Sequence, residues 1–128
     1  MHSAAADLSA AAMRSPVADV IALYFGGDAE FFGQYQAACA TQFPNDLRDG
    51  QSACDASDCE ALMRTAHNLK SILLTLGFDG ISQEAAICEK FSNGGQFEAA
   101  QASWSRLAQQ IAGVLASGAL QSESLDGK

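Results

Sequence analysis

With 128 residues, 48% of them hydrophobic, the chain is sized for one domain with a single core, and two domains are not expected. Fifteen acidic against seven basic side chains give a formal charge of -8, which opposes binding to a phosphate backbone or to an anionic membrane face. No window approaches the roughly 18 apolar residues of a membrane span, and Asp7 and Arg14 break the alanines of Met1 to Pro16 too early for a signal peptide, so the expected address is the cytoplasm.

Residues 1–14 are rich in alanine and serine without an apolar stripe and are expected to be disordered, as are the small and polar residues 119–128. That leaves 15–118 as the folded domain. Glycine and proline divide it into segments of helical period with no sustained strand alternation, so the fold class is all-α. A first short helix opens with Ser15 as N-cap and Pro16 at the first helical position, runs through Val17, Val20, Ile21 and Tyr24, and stops at Gly26-Gly27. Asp28 caps a second helix with the stripe Phe32, Tyr35, Cys39, Phe43 and Leu47, in which Pro44 predicts a kink or a break.

The stretch Asp55 to Asp58 reads as a turn, and the third helix, about 58–76, has the clearest pattern. Leu62, Ala66, Leu69, Leu73 and Leu76 share one face, which is therefore core, and Gly77 ends the helix. A fourth helix from about Gly80 to Ser92 turns Ile81, Ala85 and Cys88 inward and closes at Asn93-Gly94-Gly95. The last, Gln96 to about Ser117, carries Phe97, Ala100, Trp104, Leu107, Ile111, Val114 and Leu115. Four amphipathic helices joined by short loops bury these stripes most simply as an antiparallel four-helix bundle, with the short first helix as a lid.

The four cysteines, Cys39, Cys54, Cys59 and Cys88, form no C-x-x-C pair, and His2 and His67 are the only imidazoles that could join them. They are expected to be reduced, mostly buried thiols, and no metal ligand is assigned.

His67 follows the core residue Ala66 by one step and so is turned about 100° from the core stripe, toward the bundle edge or solvent. Met63 and Arg64 share this second face one turn before it, Lys70 and Ser71 one turn after, and Leu74 two turns after. Periodicity alone gives an ordinary solvated face. A phosphoryl group on this imidazole would, however, meet charge-assisted hydrogen-bond donors in Lys70 and Arg64.

The segment Ala66-His67-Asn68-Leu69-Lys70-Ser71, followed by Leu76-Gly77 and then Ile81, Ala85 and Glu89, resembles the signature of histidine-containing phosphotransfer (HPt) domains. The resemblance is strong over about 60–92 and extends to the rest of the chain by helix number, length and order. It implies that His67 is phosphorylated on a ring nitrogen and that Lys70 neutralises the phosphate. Ser71 stands where glycine is commonest and lets a partner approach, and Gly77 matches the glycine that ends the helix. Glu89 stands near the phosphohistidine, where a carboxylate could orient the imidazole through a ring N–H but would repel a phosphate. Beyond Ser71 this chain departs from the usual small residues with Ile72-Leu73-Leu74-Thr75, which makes Leu74 a candidate docking contact.

By resemblance, then, the chain is a phosphocarrier of a bacterial-type two-component relay. It takes the phosphoryl group from a receiver-domain aspartate, passes it to another receiver, and relies on the partner receiver for Mg2+. Response-regulator receivers and a hybrid sensor kinase are the implied partners, and a monomer is the implied state. No phosphate-binding G-x-x-x-x-G-K-[ST] loop or glycine-rich ATP lid occurs, so phosphorylation from ATP is not expected. Two other readings are a bundle that docks on a receiver or kinase without being phosphorylated, and a thiol-based metal or redox sensor.

Overall fold

Each predicted helix forms in the computed structural model, which describes residues 13–121. They are α1 Val17–Tyr24, α2 Ala29–Asp55, α3 Cys59–Leu76, α4 Asp79–Asn93 and α5 Phe97–Ser117, with no strand among the described residues. The disorder expected at 1–12 and 122–128 lies outside the described residues. Connections at 56–58, 77–78 and 94–96 allow only a reversal of direction, so α2 to α5 form the antiparallel bundle, and α1 packs on the C-terminal end of α3.

The bundle is held by the stripes the periodicity marks. Leu62, Ala66, Leu69, Leu73 and Leu76 of α3 are fully buried, facing Ile81, Ala85 and Cys88 of α4, Trp104, Leu107 and Ile111 of α5, and Phe32 and Phe43 of α2. Asp28 and Asp58 fix two helix starts by accepting the Phe31 and Ala61 N–H groups at 2.9 and 3.0 Å. Gly77 ends α3 in the left-handed region at φ +95°, and a Cβ there would stand 2.7 Å from Val20 Cγ2, so both backbone and space require glycine. Ser82 Oγ donates to the Lys70 carbonyl at 2.8 Å and so pins α4 against α3 beside the second face of α3.

Four expectations change. Pro16, not Ser15, is the N-cap of α1; Ser15 has no capping bond and instead donates its N–H to the Gly77 carbonyl at 2.9 Å. Pro44 does not break α2, because the stripe stays in register on both sides, with Phe43 fully buried and Leu47 packed on the core. That burial outweighs the roughly 3 kcal/mol that an internal proline costs. At the N-terminal boundary, Arg14 belongs to the folded domain, since its guanidinium bonds to Leu76, Gln36 and Ala119. At the other end Leu120 is buried, beyond a turn made by Gly118 at φ +77°.

Cys39, Cys54 and Cys88 are buried and Cys59 partly so, all unpaired; burial pushes the Cys88 thiol up to about 12 and raises Cys39 and Cys54 as well. Among the described residues no group of three or more His, Cys, Asp and Glu could hold a metal ion, and no helix is long and apolar enough to cross a membrane.

One close approach fixes how α5 sits on α2. A Cβ on Gly50 would stand 2.1 Å from two carbons of the buried Trp104 ring. Gly50→Ala gains about 1 kcal/mol of helix propensity but overpacks a ring that cannot move, at a cost of up to about 3 kcal/mol. The expected result is a net loss of about 1–2 kcal/mol, read as a lower urea midpoint at unchanged slope. A midpoint that stays or rises would mean that the indole is not seated on α2.

Candidate functional site

Because Ala66 and Leu69 are sealed in the core, the α-helical turn carries His67 out of it, and more than half of the His67 side chain (58%) meets solvent. Across the α3–α4 seam stands Glu89, one residue after the fully buried Cys88. Its Oε2 lies 2.8 Å from His67 Nδ1, and its Oε1 lies 2.7 Å from Lys70 Nζ. A single carboxylate thus holds both residues that the α3 face presents one turn apart.

The protonation states follow from this geometry. The Lys70 hydrogen bond is the largest influence on Glu89, and with the His67 bond it outweighs burial and holds the carboxyl below its ordinary value. An ionised carboxylate only accepts, so the Nδ1 that faces it carries a proton. In the neutral ring the lone pair is then on Nε2, on the side of the imidazole away from Glu89. The arrangement presents an oriented nitrogen nucleophile on an exposed surface.

The other residues singled out in the sequence are distributed around this pair. Met63, Arg64 and Asn68 line a cleft of about 440 Å³ together with His67 and Glu89. Arg64 points to Glu60, at 3.3 Å in an exposed pair, and not to the imidazole. Both cations that share this face with the histidine are therefore on carboxylates. Ser71 is exposed one turn further along α3, and Leu74 is 43% exposed two turns along. Gly77 is buried against α1, at the base of a cleft that Leu74 also lines.

Sequence reading did not single out Asn68, or the α4 residues Ala86, Lys90 and Asn93, which line a second cleft with Met63, Lys70 and Glu89. The signal was present in the spacing, since Ala86, Glu89, Lys90 and Asn93 follow the three- and four-residue steps of one helix face.

The family model Hpt domain matches residues 34–117, which is most of the chain and covers α2 from residue 34 and all of α3 to α5. No curated protein and no solved structure gave a match.

Glu89 also makes stability depend on pH in a defined direction. Its carboxyl is depressed in the folded state, so its contribution is complete above the ordinary value of 4.5 and is lost as pH falls through the lower folded value. Melting temperatures of the wild type and Glu89→Gln should differ near pH 7 and converge as the pH falls below 4.5. A difference that persists undiminished at the acid end would place its source outside this carboxylate.

Proposed function

The chain belongs to the Hpt domain family, whose members transfer phosphoryl groups on histidine within phosphorelays, and from that premise we propose that His67 is the phosphoacceptor, exchanging its phosphoryl group with receiver domains. The observation that carries the reading is the hydrogen bond from His67 Nδ1 to Glu89, which leaves Nε2 as the available nitrogen of a largely exposed side chain.

The step is a displacement at phosphorus. The Nε2 lone pair forms the N–P bond, the bond from phosphorus to the receiver's aspartate oxygen breaks, and the electron pair leaves on that carboxylate. The Nδ1 proton stays against Glu89, whose charge offsets the positive charge that the ring gains when Nε2 is substituted. Glu89 lies on the Nδ1 side, so it orients the ring without facing the phosphate. This answers the objection that a carboxylate there would repel the phosphoryl group.

Catalysis of this kind is mostly positioning and electrostatics. The receiver contributes a magnesium ion, which offsets charge on the phosphoryl oxygens. On this side the positive charge comes from Lys70 and Arg64. The Arg64–Glu60 pair is exposed on both sides and worth at most about 1 kcal/mol, so Arg64 leaves it readily. Lys70 has the phosphate as an alternative partner to Glu89 Oε1 once the ring is phosphorylated. Ser71 and Leu74 continue the same exposed face and form the adjoining contact with the receiver.

The test is to incubate the chain with receiver domains phosphorylated by radiolabelled acetyl phosphate. The wild type should acquire acid-labile, base-stable label and His67→Gln none; label on the Gln variant would end the reading. Lys70→Ala should slow transfer or shorten the phosphohistidine lifetime about tenfold, the worth of one charge-assisted hydrogen bond, with the bundle intact. An unchanged rate and lifetime would remove Lys70 from the site. Ser71→Trp should block transfer with an unchanged circular-dichroism spectrum, because it adds bulk under the partner alone; full transfer would move the docking surface elsewhere.

A further inference from the structure

Arg14 stands just ahead of α1, partly buried, with no carboxylate among its partners in the described residues. Its guanidinium donates to three neutral oxygens: the Leu76 carbonyl at 2.8 Å, Gln36 Oε1 at 2.6 Å and the Ala119 carbonyl at 3.2 Å. It also lies over the Phe78 ring, 4.6 Å from the centroid. One side chain thus ties together the end of α3, the N-terminal third of α2 and the segment after α5.

The helix behind it has little else to hold it. α1 has eight residues, fewer than the roughly 12–15 at which an isolated helix persists, and only Val20 is buried, with Ile21 partly so. Its position is set by anchors at the two ends. Arg14 and the Ser15–Gly77 bond hold the N-terminal side, and Phe25, edge-on to Phe32 at 5.2 Å, holds the other.

Outward, α1 presents Leu23 and Tyr24, 72% and 45% exposed, which line one cleft with Leu74. Leu74 lies about 10 Å along α3 from His67. A partner that reaches the imidazole covers about 800 Å², a patch roughly 30 Å across. Centred on His67, such a patch takes in Leu74 and extends to its neighbours on α1. Arg14, Leu23 and Tyr24 all precede the residues of the family match, 34–117, so that match does not account for them.

We propose that α1 is a receiver-selecting element, with Leu23 and Tyr24 extending the docking surface from Leu74, and that Arg14 is the positioning residue that holds it in place. The inference rests on the reading of His67 as phosphoacceptor. Arg14 bonds to no residue of the His67 site, so it acts on docking and not on the bond exchange.

Transfer from receivers labelled with radioactive acetyl phosphate, measured with the full chain, separates the two effects. Leu23→Ser combined with Tyr24→Ala should raise KM about tenfold with kcat held, the mark of a lost docking contact. Arg14→Ala should raise KM similarly and speed amide exchange over 17–24 about tenfold, while α3 and α4 keep their protection and the phosphohistidine lifetime is unchanged. An unchanged KM in the double variant overturns the docking role. Unchanged exchange in α1, a fall in kcat, or loss of protection throughout the bundle in Arg14→Ala overturns the positioning role. If His67→Gln still accepts label, the phosphoacceptor reading itself has failed; if it accepts none while KM ignores α1, only this inference has.

Discussion

Glu89 accepts from His67 and Lys70 at once, and the properties of the surface follow from that shared carboxylate. An imidazole on an exposed helix face would otherwise rotate freely about its side-chain torsions and exchange its proton between two nitrogens. The 2.8 Å bond removes both freedoms, because the carboxylate can only accept and sits on one side of the ring. What is left is a single outward lone pair, a requirement for any group that must meet a phosphorus atom carried by another protein.

The bundle exists, for this purpose, to keep Glu89 opposite His67, 22 residues away in sequence. Leu69 and Leu73 on α3 and Ala85 and Cys88 on α4 are fully buried, so neither helix can rotate without exposing its stripe. The Ser82 hydroxyl on the Lys70 carbonyl resists sliding of one helix along the other. The thiol of Cys88 therefore serves as a small apolar filler one residue from a functional carboxylate, and its raised pKa keeps it protonated and inert beside that site.

How far the sequence could be read depended on the range of each interaction. Local rules were legible: the 3.6-residue period placed the α3 core stripe, the side-chain chemistry of Asp28 marked a helix start, and Gly77 marked an end that only glycine fits. The exposure of His67 followed from its single step past Ala66. Contacts between distant residues were not legible in the same way. Arg14 looked like part of a loose terminus because its three acceptors lie 22, 62 and 105 residues away. Pro44 looked like a kink or a break because its backbone cost is local, whereas the burial that keeps the helix unbroken comes from other helices. The carboxylates that take up Lys70 and Arg64 illustrate the boundary: Glu60 is one turn from Arg64 and within reach of pattern reasoning, but the grip of Glu89 on both His67 and Lys70 needs the register of α4 on α3.

The central claim is that Glu89 assigns the ring proton to Nδ1 and leaves Nε2 to take the phosphoryl group. The most direct measurement is a long-range proton–nitrogen NMR spectrum of the nitrogen-15-labelled chain, before and after phosphorylation by a receiver. The expected result is an Nδ1 that carries the proton of the neutral ring, and then a phosphorus coupling to Nε2 alone with the Nδ1 proton retained. A ring protonated at Nε2 beforehand, or a phosphoryl group found on Nδ1, would contradict it.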